Sequence, residues 1–105
     1  LDTGNTTPLA ESLARRFRSA GFPAADVMVV GAGPRNRNLV VRLRGRDSSR
    51  APILFLAHLD VVDAEPQRWR TDPWTLTERD GMLWGRGGLD DKGPAATIAA
   101  AFLEA

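Results

Sequence analysis

Residues 52–60 read Pro52-Ile53-Leu54-Phe55-Leu56-Ala57-His58-Leu59-Asp60. Side chains of a strand point alternately to its two faces, so a run that is apolar at every position asks for cover on both. The stretch 53–57 therefore predicts a central strand. His58 and Asp60 follow at its carboxyl end, where α/β sheets present their ligand-binding groups. The fold class this implies is α/β, a partial mixed sheet flanked by helices.

Toward the N-terminus, Thr7 and Pro8 predict a helix start, with Thr7 as N-cap, Pro8 at the first helical position and Glu11 in the first turn. Leu9, Leu13 and Phe17 recur every four residues as an apolar stripe, and Gly21 supplies the stop. Val27-Met28-Val29-Val30 is a short β-rich run closed by Gly31. Over 38–44, Leu39, Val41 and Leu43 alternate with Val40, Arg42 and Arg44, the pattern of a half-buried strand. Toward the C-terminus, 63–75 is irregular. Residues 76–84 read as a hairpin turning at Asp80-Gly81. From Pro94 to Ala105 the composition predicts a helix on which Ile98, Phe102 and Ala105 share a face.

The chain has 105 residues, room for one small domain. Fourteen basic side chains nearly cancel thirteen acidic ones, leaving +1, which argues against a nucleic-acid binder. Cysteine is absent, so disulfides, thiolate metal sites and a cysteine nucleophile are excluded. No apolar run reaches the length of a membrane span. The compartment stays open, with the cytoplasm slightly favoured and a secreted or periplasmic location following if a signal peptide precedes Leu1. Among the basic residues only Lys92 is lysine, and His58 is the sole histidine.

Gly31-Ala32-Gly33 lacks the third glycine and the following helix of a dinucleotide loop, and Pro34 blocks it, so it reads as a turn. Arg42, Arg44 and Arg46 read as a solvated strand face. His58 and Asp60 point to one side of an extended chain, so a carboxylate can hold one imidazole nitrogen while the other faces a metal. The segment Gly85-Arg86-Gly87-Gly88-Leu89-Asp90-Asp91-Lys92-Gly93 sets two carboxylates and a cation among glycines ahead of a helix. Carboxylate oxygens suit divalent cations and can bridge two of them. The bland alternative is a charged loop with Asp91 capping the helix.

In order, with His58 and Asp90 thirty-two positions apart, His-x-Asp-Val-Val at 58–62 and Gly-Arg-Gly-x-x-Asp-Asp-Lys-Gly at 85–93 resemble the signature of a family of dinuclear zinc hydrolases. These are the acetylornithine deacetylase, succinyl-diaminopimelate desuccinylase, aminoacylase-1 and glutamate carboxypeptidase-like metallopeptidases. Trp69, Asp72-Pro73-Trp74 and Arg79-Asp80-Gly81 resemble the family's linker and hairpin. The resemblance implies that His58 and Asp90 are metal ligands, Asp90 bridging two zinc ions (or Co2+), and that Asp60 is the catalytic-site residue orienting His58. It implies an amide bond cleaved by metal-activated water, in a peptide or N-acyl amino acid, with a glutamate from a downstream Glu-Glu pair carrying the proton. Here Glu11, Glu65, Glu78 and Glu104 are all isolated, and one histidine cannot complete two zinc sites.

Residues 1–105 are therefore expected to be the N-terminal portion of one zinc-exopeptidase-like catalytic domain, without its later strands and inserted dimerisation domain. No separate organic cofactor is implied. The chain alone is expected to be inactive, to hold zinc weakly or not at all, to keep the Asp90-Asp91 bond trans or disordered, and to self-associate through its uncovered sheet. The competing expectation is a metal-free binding module that retains the fold without catalysis.

Overall fold

The computed structural model describes residues 4–105. Helix α1 spans Thr7–Ser19, with Pro8 in its first turn as expected. Its N-cap is Thr6 rather than Thr7, and no side chain caps it. A distant loop caps it instead. The Thr6 and Thr7 amides both donate to the Arg35 carbonyl, at 3.0 and 3.2 Å, and the Thr6 hydroxyl donates to the Arg37 carbonyl at 2.9 Å. With the helix entered one residue early, Glu11 falls outside the first turn. The helix buries Ala10, Ala14 and Phe17, while Leu9 and Leu13 are half-buried. Alanines at the contact let the helix approach its neighbours closely.

Strand β1 (Val27–Val30) pairs antiparallel with β2 (Asn38–Val41), Val27 opposite Val41 and Val29 opposite Leu39. In β2 the alternation appears over part of its expected length, with Leu39 and Val41 half-buried and Val40 exposed, but the strand stops at Val41 and Leu43 is exposed. Strands β3 (Thr77–Arg79) and β4 (Met82–Trp84) form the expected hairpin. At its turn Asp80 (φ 56°) and Gly81 (φ 72°) are both left-handed, the two positive angles that a type I′ turn requires. Helix α2 spans Gly93–Glu104 and lays Ala99, Phe102 and Leu103 against Ala14, Phe17 and Val27. The Phe17 and Phe22 rings meet edge to face at 5.1 Å.

The sequence misjudges one feature beside this core. Asp26 is buried at 1% exposure. Its carboxylate accepts two hydrogen bonds from Arg44, at 2.8 and 2.9 Å, and Arg42 lies 3.7 Å away. Arg42 and Arg44 stay exposed, as expected of a solvated face, and through Asp26 they also close the open end of β2 onto the start of β1. The Arg44 bonds hold the Asp26 carboxyl below the usual carboxylate range, against the opposing effect of burial.

The sheet is not the one expected. Two separate two-stranded antiparallel sheets replace a mixed one, and 53–57 joins neither. Ile53, Leu54 and Leu56 are 77–80% exposed, while the Phe55 ring meets that of Phe102 edge to face at 6.0 Å. The physical reason is a missing ladder: β1 and β2 satisfy each other, as do β3 and β4, and among the described residues no further strand lies beside 53–57. The radius of gyration, 15.8 Å, exceeds the roughly 13 Å of a closed domain of this length. The architecture is a small α/β assembly with one open apolar side.

Candidate metal centre

Residues 58–62 carry no regular structure, and they run beside the loop that leads into α2. That loop is anchored from behind, where the Arg86 amide donates to the carbonyl of buried Pro73 at 2.7 Å and the Arg86 guanidinium lies over the Trp69 ring at 5.1 Å. Gly88–Lys92 then forms one irregular turn, in which Asp90 (φ −127°, ψ 92°) and Asp91 (φ −135°, ψ 17°) leave helical geometry. The Asp90-Asp91 peptide bond is cis, against the expectation of a trans or disordered one. The ordering contacts come from within the chain, from His58, Leu59 and Gly87.

His58 Nε2 lies 2.9 Å from Asp90 Oδ1. On the other side of the ring, Nδ1 meets the Asp60 carbonyl at 3.1 Å and an Asp60 carboxylate oxygen at 3.3 Å. A carbonyl oxygen can only accept, so Nδ1 carries a proton and donates it to Asp60. A carboxylate facing Nε2 favours a second proton there. The hydrogen bond to Asp90 accordingly raises the His58 pKa above its ordinary 6.5, helped by Asp60 and opposed by partial desolvation. The structure thus brings together His58, Asp60 and Asp90, the three residues singled out in the sequence.

Whether this set suits zinc can be judged from its donors. Two ligands about 2.0–2.1 Å from a tetrahedral zinc stand about 3.3 Å apart, close to the 2.9 Å between Nε2 and Oδ1. One nitrogen, one carboxylate oxygen and a carboxylate behind the imidazole match the chemistry of a zinc site and its supporting shell. The pair fits two positions of such a site. A catalytic zinc takes three protein ligands, and among the described residues no group of three or more His, Cys, Asp or Glu could hold an ion.

Two further side chains join the histidine segment to the loop, and Asp91 does so instead of capping α2, whose N-cap is Lys92 with no side-chain cap bond. Asp91 Oδ2 accepts the His58 backbone N–H at 3.1 Å, and Lys92 Nζ donates to the Leu59 carbonyl at 3.0 Å. Partial burial holds the Lys92 ammonium below its usual range, with the Asp60 charge working against the shift.

Two irregular segments thus cross so that a histidine rests on one aspartate with a second aspartate behind the ring. Peptidase family M20/M25/M40 matches residues 54–105, the part that contains this crossing, and the chain belongs to this family. It is 38% identical to the succinyl-diaminopimelate desuccinylase of Polynucleobacter necessarius over 97 residues, 88% of this chain and 24% of that protein. To the N-fatty-acyl-amino acid synthase/hydrolase PM20D1 of Bos taurus it is 38% identical over 92 residues, 84% of this chain and 18% of that one. A 51-residue stretch, 48% of the chain, is 51% identical to 10% of the Beta-Ala-His dipeptidase of Rattus norvegicus. The chain thus spans about a quarter or less of the length of these relatives. No solved structure matches it.

Proposed function

We propose that these residues supply one corner of the zinc centre of an amide hydrolase, as the N-terminal portion of its catalytic domain. His58 and Asp90 are ligands in this reading, and Asp60 holds the imidazole with Nε2 turned to the metal. The observation that carries it is the 2.9 Å approach of Nε2 to Asp90 Oδ1, with Nδ1 fixed by Asp60. Zinc, when bound, supplies Lewis acidity toward water and the amide carbonyl. The chain's own part is to present the nitrogen and the carboxylate and to keep the Nδ1 proton on Asp60. The remaining ligands and the proton-carrying glutamate come from outside these residues.

The substrate class is a peptide or an N-acyl amino acid. Support comes from relatives named for removing a succinyl group, for hydrolysing N-fatty-acyl amino acids and for cleaving a dipeptide, each name pointing to an acyl group on an amino-acid nitrogen. The test is hydrolysis of N-succinyl and N-fatty-acyl amino acids and of dipeptides, by the 105-residue chain and by a protein of the relatives' length containing it. The longer protein is expected to turn over at least one class, to lose that turnover in His58→Ala and Asp90→Ala, and to outperform an inactive short chain. Unchanged turnover in both variants would refute the assignment, and a folded long protein without zinc or turnover would favour the metal-free binding module.

A further inference from the structure

No β-ladder holds 58–62 among the described residues, so side chains must fix how His58 meets Asp90. Asp91 and Lys92 grip consecutive parts of the same backbone, the His58 N–H and the Leu59 carbonyl, from across the loop. Lys92 reaches its acceptor because its own amide is fixed to the Gly87 carbonyl at 2.8 Å. Gly87 makes room for it: at φ +84° it adopts a backbone that side chains rarely take, and a Cβ there would stand 2.6 Å from Val61 Cγ1 and 3.3 Å from Lys92 Nζ. Neither Asp91 nor Lys92 faces the Nε2–Oδ1 gap through these contacts.

We infer that Asp91 and Lys92 are positioning residues, which stitch the His58 segment to the Asp90 loop at the two peptide groups flanking the His58-Leu59 bond and so set the approach of Nε2 to Oδ1. The stitch stands on its own geometry, and only its consequence for zinc rests on the proposed function. Lys92→Met keeps the stem and removes the donor, whereas Lys92→Arg keeps a donor. Asp91→Ala removes the acceptor, whereas Asp91→Asn retains an oxygen.

The experiment is nuclear magnetic resonance on the 105-residue chain. It follows the Overhauser contact between the His58 ring and the Asp90 β-protons, exchange of the His58 amide, and the Phe17–Phe22 contact as a fold control. Lys92→Met and Asp91→Ala are expected to lose the His58–Asp90 contact with Phe17–Phe22 intact, and Asp91→Ala to speed His58 amide exchange about tenfold or more. Lys92→Arg and Asp91→Asn are expected to restore the contact. Retention of the contact in Lys92→Met and Asp91→Ala overturns the inference. So does loss of Phe17–Phe22, which would make the pair holders of the fold rather than of the site. Zinc affinity, read by chelator competition, should fall about 10- to 100-fold with the contact. A wild-type chain that takes up no zinc contradicts the metal reading, while the magnetic-resonance contacts still decide the stitch.

Discussion

Phe17→Ala tests how the core and the proposed zinc-binding pair depend on each other. Phe17 is 3% exposed and packs its ring against Phe22, Ala14 and Val27. Truncating a buried phenylalanine to alanine costs about 3–5 kcal/mol, from lost transfer energy and the cavity left behind. At roughly 0.05–0.15 kcal/mol per residue, a chain of this length holds about 5–15 kcal/mol. A buried apolar set of Ala10, Ala14, Phe17 and Val27 argues for the low end. The variant should therefore retain about 0–2 kcal/mol. Urea unfolding followed by two probes checks this. Far-UV circular dichroism reports α1 and α2, while the three tryptophans, Trp69, Trp74 and Trp84, all lie on the loop and hairpin side. Helix α2 touches the core through Ala99, Phe102 and Leu103 and begins at the Gly88–Lys92 turn, so both transitions should move together to lower urea. A loss below about 1 kcal/mol, or a tryptophan transition left in place while the helical one moves, would refute this packing.

Because the Asp90 bond raises the His58 pKa, that contact stabilises the fold below the ordinary value of 6.5 and fades as pH rises through the raised one. Zinc competes with the same Nε2 proton, so calorimetric affinity should climb with pH and keep climbing above 6.5; a flat profile would contradict the assignment. Gly81→Val forces a β-branched residue into φ 72° and should cost about 1–2 kcal/mol, visible as a lower melting temperature and an altered near-UV signal from Trp84. The exposed 53–56 run, with Leu56 at 80% exposure, should make the chain self-associate in light scattering as concentration rises, and Leu56→Lys should weaken this. A monomer at every concentration would contradict that expectation.

Local chemistry was legible and long-range pairing was not. Pro8, the period-four stripe, the alternation over 38–44 and Asp80-Gly81 each act within a few residues, and each element formed at its pattern, although the strand stops at Val41. The cap of α1 was misplaced because its bonds come from Arg35 and Arg37, about thirty positions away. At 53–57 the residue pattern describes a strand's faces and says nothing of the neighbour that must supply its hydrogen bonds. Asp26 was missed although its signal was available: a lone carboxylate at the head of a valine run, beside alternating arginines in the next strand. The meeting of His58, Asp60 and Asp90 was legible from two spaced motifs. The work of Asp91 and Lys92 was not, because a contact across thirty-three positions follows no spacing rule.

The central claim is that His58 and Asp90 form half of a zinc site. A complete four-ligand site gives about 10–16 kcal/mol, so two ligands should give about 5–8 kcal/mol, a Kd of roughly 1–200 µM. Calorimetric titration of the 105-residue chain with zinc at neutral pH measures it directly. Saturable binding in that range, one ion per chain, abolished by His58→Ala and by Asp90→Ala, is the predicted result. No binding, binding indifferent to both substitutions, or submicromolar affinity lost with His58 would contradict it.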